Sequence, residues 1–197
     1  MGYSFTNIAA TTAAVANRFV TTTNMIVGSY TIANASPVWQ GGCFVTITHT
    51  TATGTDTLGT VTITGTDLTG AVISEVITPV ADSVATGTLV FRTVTAAVGA
   101  GWVIAGGNDT LVIGCAAGSI PCGTQGTLGG IVINTAAAAT IVVSDSNRTI
   151  ATIPASQAAG TYYPWNVDFA GYLKVATTST NDITIFHTGT MPLTYAP

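Results

Sequence analysis

Few side chains in this chain could move a proton, hold a metal or attack a bond. They are Glu75, seven aspartates, His49, His187 and three cysteines, Cys43, Cys115 and Cys122. General acid–base catalysis needs such groups to converge in a pocket, and nothing in their spacing announces that. Glu75 sits in the middle of ISEVI, on one face with Ile73 and Ile77, while Val72 and Val76 take the other. Protection of an edge strand explains one acid there more simply than catalysis does. The histidines echo each other, because Val45, Ile47 and His49 alternate in VTITHT as Ile183, Ile185 and His187 do in ITIFHT. Each imidazole is expected at the end of an inward-facing row, as a satisfied, half-buried side chain.

Metal and nucleophile chemistry fares no better. CAAGSIPC could close a small disulfide loop between Cys115 and Cys122, or seed a metal site, but no histidine lies near enough in sequence to complete four zinc ligands. The cysteines are read as structural or buried thiols. No G-x-S-x-G elbow is present. GAGWVIAGG has only part of a dinucleotide fingerprint and lacks a following helix, and NDTLVIG supplies a single Asp109 where calcium needs a cage. Asn34, Asn108 and Asn147 stand in N-x-S/T triplets, as a threonine-rich composition produces by chance. The expectation is a protein that is not an enzyme, with no catalytic residue, cofactor or metal.

The elements that carry these residues are β throughout. From Asn24 onward, runs such as CFVTITHT, TLGTVTIT, AVISEVITPV and GTLVFRTVT are rich in Val, Ile, Thr and Phe and are punctuated by TGTD, TDLTG and AGGND. TVTIT puts Val61 and Ile63 on one face and Thr60, Thr62 and Thr64 on the other, since strand side chains alternate. SNR, between ATIVVSD and TIATI, reads as a tight hairpin turn. No segment offers the helical crossovers of βαβ units. The fold class expected is all-β, with two small antiparallel β-sandwich or jelly-roll-like domains. Residues 1–22 are expected to form an extended N-terminal arm, 23–115 the first sandwich, 116–127 a glycine-rich linker and 128–197 the second sandwich.

Charge narrows the function. Of 197 residues only 6% are charged, with 4 basic and 8 acidic side chains, against about a quarter in ordinary domains. Arg18, Arg92, Arg148 and Lys174 are too few and too scattered to neutralise a phosphate backbone, so direct nucleic-acid binding is not expected. Mean hydropathy is +0.55, yet no apolar run approaches the ~18–20 residues of a spanning helix. MGYSFTNIAATTAAVANRF lacks a positive stretch ahead of an apolar core. The expectation is a soluble protein made in a cytoplasm, without membrane contact.

The phrase order VTITHTTATGTDTLGTVTITGTDLTGAVISEVITPV, followed by GTLVFRTVTAAVGAGWVIAGGNDTLVIG, resembles the β-rich virion proteins of tailed bacteriophages, most of all capsid decoration or cement proteins. GTLGGIVINTAAAATIVVSDSNRTIATIPASQAAGTYYPWNVDFAGYLKVATT is similar to a β-sandwich module that recurs in such structural proteins. The resemblance spans most of residues 43–188 and carries no catalytic residue. It implies a virion component on the capsid surface, whose partners are the major capsid protein and further copies of itself as a homotrimer. Tyr3, Phe5 and Phe19 are the aromatic anchors expected at that interface, or else residues that complete the first sandwich. Two other readings share the composition: a neck, tail-tube or fibre-associated component, and a carbohydrate-binding module using Tyr162, Tyr163 and Trp165 of YYPW.

Overall fold

The computed structural model describes residues 2–9, 12–52, 56–103 and 108–189. Among them there is no helix, and the strands divide between two compact units. The terminal unit comprises Met1–Ala13, Val38–Gly42 and Ala117–Pro197, and the central unit Ala14–Pro37 and Cys43–Ala116. The chain opens in the terminal unit with β1 (Ser4–Ile8). It then builds the central unit from β2 (Val15–Asn24), β3 (Ser29–Tyr30), β4 (Cys43–Thr50), β5 (Thr60–Thr66), β6 (Val72–Ile77), β7 (Val84–Phe91), β8 (Thr93–Ala100) and β9 (Thr110–Cys115). The terminal unit is completed by β10 (Ser119–Cys122), β11 (Gly126–Ile133), β12 (Ile141–Ser144), β13 (Thr149–Ile153), β14 (Tyr162–Phe169), β15 (Leu173–Thr177) and β16 (Ile183–His187).

Each unit is a pair of four-stranded antiparallel sheets. The central unit has the orders β2-β9-β4-β7 and β3-β8-β5-β6, and the terminal unit β1-β16-β11-β14 and β10-β15-β12-β13. Counted from the first strand of each unit, both have the same order: first-eighth-third-sixth in one sheet, second-seventh-fourth-fifth in the other. The all-β, two-sandwich expectation holds, but the domain boundaries differ. Residues 1–22 are not one arm: β1 pairs with β16, and β2 pairs with β9. Nor is 116–127 a linker, since β10 pairs with β15 and all four residues of SIPC are buried. Pro121 is tolerated there because β10 is an edge strand, where a missing N–H costs least.

The alternation read from sequence builds the cores. Val61 and Ile63 are fully buried while Thr60, Thr62 and Thr64, which alternate with them, are only partly covered. In the terminal unit Ile8, Leu128, Ile131, Ile133, Ile183 and Ile185 of one sheet join Ile141, Val143, Ile153, Leu173 and Val175 of the other in one apolar cluster. Burying a branched side chain of this kind contributes about 1.5–3 kcal/mol.

The β12–β13 turn shows how the scarce charges are used. Asp145 Oδ1 accepts N–H bonds from Asn147 at 2.7 Å and Arg148 at 2.8 Å, and Oδ2 accepts one from Ala170 at 3.3 Å. Burial alone would raise its pKa. The bonds from Asn147, Arg148 and Ala170, with the Arg148 charge, outweigh burial and hold the carboxyl below its ordinary range. The carboxylate thus stabilises the turn at neutral pH, and that contribution is lost as pH falls through its depressed pKa. Asp145→Ala strands these donors and is expected to cost the terminal unit about 1–3 kcal/mol in chemical denaturation of the full chain, with Asp145→Asn costing less because one acceptor oxygen remains.

Candidate functional site

The groups capable of chemistry are dispersed by the fold, and most are occupied. His49 lies at the end of β4, where its Nε2 meets Asp109 Oδ2 at 3.1 Å with both side chains 1% exposed. Its Nδ1 faces the Asp82 N–H at 3.4 Å, so Nδ1 accepts and Nε2–H donates to Asp109. Asp109 Oδ1 accepts from Ala52 N–H at 2.8 Å. Burial pushes the Asp109 pKa up, but bonds from Ala52 and Asp56 and the neighbouring His49 bring it below the ordinary value. Asp109 was legible only as an insufficient calcium ligand, and its pairing with His49 follows from the His49↔Leu111 register of β4 and β9.

His187 differs from its sequence echo. It ends the eighth strand of the terminal unit, whereas His49 lies one residue from the end of the third strand of the central unit, and both imidazoles are buried rather than half-buried. Its Nε2 lies 3.4 Å from Thr6 Oγ1 and its Nδ1 makes no hydrogen bond. Burial lowers its pKa, against a smaller opposing contribution from the Thr188 backbone. Among the described residues no group of three or more His, Cys, Asp or Glu side chains is placed to hold a metal.

Glu75 serves the backbone. β6 and β7 are edge strands of the two central sheets, and the Glu75 carboxylate accepts from Thr88 N–H at 2.6 Å, Thr88 Oγ1 at 2.8 Å and Leu89 N–H at 3.3 Å on β7. A Cβ on Gly87 would collide with that carboxylate. The acid therefore covers amides that an edge would otherwise present to another strand.

Several large apolar side chains remain exposed. Of the three expected anchors, Tyr3 is 50% and Phe5 70% exposed, but Phe19 is fully buried in the central unit. Phe19 is a core residue because β2 is irregular against β9, which turns both Phe19 and Val20 inward. Tyr3 and Phe5 belong to the outer face of the β1-β16-β11-β14 sheet. Phe5, Phe186, Gly130 and Pro164 lie in one row across its four strands, and Asn7, Thr184, Val132 and Tyr162 in the next. The missing side chains at Gly129 and Gly130 leave a groove of about 320 Å³ walled by Tyr3, Val132, Tyr162 and Phe186. Tyr162 meets Phe186 edge-on at 6.2 Å. The YYPW cluster is divided by strand alternation: Tyr162 is 52% exposed, while Tyr163 and Trp165 turn inward, stacked at 5.9 Å and packed on the core.

The central unit also has an uncharged outer face. Val76, Thr62 and Val98 form one row across β6, β5 and β8, and Ser74, Thr64 and Ala96 the next. Val72 and Val76 are 78% and 61% exposed. No helix among the described residues is long and apolar enough to cross a membrane. No protein-family model matches the chain, and neither a curated protein nor a solved structure matches it.

The buried imidazole sets a pH response. A depressed folded-state pKa gives His187 a stabilising contribution that is complete above its ordinary value of 6.5 and is lost as pH falls through the folded value. The terminal unit is expected to lose denaturant resistance as pH falls below the ordinary imidazole value of 6.5 and through the lower folded value of His187. His187→Gln should flatten that slope, whatever its effect on absolute stability.

Proposed function

We propose that this chain is a structural subunit of a tailed-phage particle, a decoration or cement protein that binds the outside of the head and stabilises the major capsid lattice. The observation that carries the reading is the strand order shared by the two units, first-eighth-third-sixth over second-seventh-fourth-fifth. We read that order as two jelly rolls, an architecture that recurs in viral capsid domains and lectins. The outward sheet faces support the same reading. Val72, Val76, Val98, Tyr3 and Phe5 present apolar surface with few charges around it, as contacts buried on assembly require. Bound in many copies, as a homotrimer bridging neighbouring capsid subunits, the protein would add binding free energy to the closed shell at every site and so oppose the outward pressure of packaged DNA.

The test is made on native particles purified from infected cells. Quantitative mass spectrometry is expected to find the chain at a copy number comparable to that of the major capsid protein, and electron microscopy to find it on the outer head surface. A few copies per particle would assign it instead to the neck, tail tube or a fibre. Its absence from particles would overturn the virion reading altogether.

A second reading is favoured by the groove beside Tyr162. An aromatic-walled, neutral depression suits the apolar face of a sugar ring, and lectins share the jelly-roll architecture. On this reading a glycan array probed with the full chain gives binding that Tyr162→Ala abolishes. Tyr163→Phe, which alters an inward-facing ring, leaves that binding intact. No retained glycan would sink it.

A further inference from the structure

Cys43 and Cys115 stand near opposite ends of the Cys43–Ala116 segment of the central unit and meet in its core. Cys43 begins β4 and Cys115 ends β9, the strand paired with it. The register sets Cys115 opposite Val45, so Cys43 is its diagonal neighbour on the same inward face. The two sulfurs lie 2.8 Å apart, and both residues are fully buried. A disulfide requires about 2.05 Å, so the sulfurs already lie closer than two unbonded sulfur atoms in ordinary contact and have to approach by roughly 0.8 Å. Neither sulfur has a competing metal set, since no cluster of three or more ligating side chains occurs among the described residues. In sequence, CAAGSIPC also offers Cys122 as a disulfide partner for Cys115. Cys122 belongs to the terminal unit, where its thiol donates to Thr124 O at 3.3 Å.

We propose that Cys43 and Cys115 are a disulfide-forming site, joined by exchange with a small-molecule disulfide while the β4–β9 ladder assembles. The chemistry balances in two exchanges. One cysteine, as its thiolate, attacks the small disulfide, forming a mixed disulfide and releasing one small thiol, which takes up the proton. The second thiolate then attacks the protein sulfur of that mixed disulfide, closing the Cys43–Cys115 bond and releasing the second small thiol with the second proton. The protein pair is oxidised by two electrons, and the small disulfide is reduced to two thiols.

Timing follows from burial. In the closed unit no reagent reaches the sulfurs, and the hydrogen bond to Cys115, followed by burial, holds the Cys43 thiol far above the ordinary range against a weaker opposing effect of Arg18. The thiolate needed for exchange is therefore scarce once the sheet has closed. The same shielding protects the bond once it is made. Its closure would tie the third strand of the unit to the eighth around the long segment between residues 43 and 115, the kind of loop for which a cross-link restricts the unfolded chain most.

The experiment refolds the denatured, reduced full chain in a mixture of oxidised and reduced glutathione, then alkylates it under denaturing, non-reducing conditions. Intact mass is expected to show the loss of two hydrogens and a single alkyl group. Peptide mapping should give a linked Cys43–Cys115 peptide and an alkylated Cys122. Reductant is expected to lower the thermal midpoint of the oxidised wild type and of Cys122→Ser, and to leave that of Cys43→Ala/Cys115→Ala unchanged. Three alkylated cysteines after oxidative refolding would overturn the proposal, as would a linked peptide containing Cys122. The mass readout on wild type decides the matter even if the double variant fails to fold. It is also independent of whether the protein belongs to a virion.

Discussion

The pairing of first strand with last, made in each unit, is the constraint on which the rest of the structure depends. In the central unit β2 lies against β9, with Val15 opposite Cys115. In the terminal unit β1 lies against β16, with Ile8 opposite Ile183. Contacts so distant in sequence are entropically costly to close, and here the terminal pair must be made around an entire inserted unit. The central unit reduces that burden. Because Val15 and Cys115 are partners, its two ends emerge side by side, and just beyond them Gly118 N–H donates to Thr12 O at 2.7 Å. Once the central unit is folded, the effective loop between β1 and β10 is short. The nested arrangement thereby eases closure of the terminal unit's first–last pair.

Much of the local structure was legible because side-chain period 2 is a strong signal in a chain with so few charges. Val61 and Ile63, Val45 and Ile47, Ile183 and Ile185 all face inward as their spacing requires, and the Asp145 turn closes β12 onto β13 where SNR was read as a hairpin. The same parity divides YYPW, since a strand cannot present Tyr162 and Tyr163 to one side. What could not be read was partnership. Nothing in SFTNI states that its partner is ITIFH, because that choice is fixed by a register between segments at the two ends of the chain. Phe19 illustrates a second limit: parity fails wherever a strand is irregular, and β2 breaks register twice in a few residues. The Cys43–Cys115 and His49–Asp109 contacts are invisible for the same reason, being properties of the β4–β9 alignment rather than of either segment.

The acids complete the argument about charge. Asp67 accepts from Thr69 and Ala71 N–H, Asp82 from Thr51, Asp109 from Ala52, Asp145 from Asn147 and Arg148, and Glu75 from Thr88 and Leu89. Asp182 binds the side-chain amides of Asn7 and Asn134, and Asp168 the Thr127 hydroxyl. Asp67, Asp82, Asp109, Asp145 and Glu75 thus satisfy main-chain donors, and Asp168 and Asp182 satisfy side-chain donors. Threonine takes over the role of facing water, because its branched carbon suits the pleat while its hydroxyl remains available for bonding. With the acids so engaged, the middles of the outward sheet faces carry Val, Thr, Ala and aromatic side chains and almost no net field.

Such faces associate differently from those of ordinary proteins. Attraction between them arises from displaced water and close packing, so it is short in range and little affected by salt. It also cannot steer a partner from a distance, since steering needs an extended field. A surface of this kind is poorly suited to finding a dilute target. It is well suited to a partner already present at high local density, where each subunit has only to settle into a repeated site. That asymmetry is the physical argument that connects a composition nearly free of charge with the proposed role as one of many identical subunits on a shell.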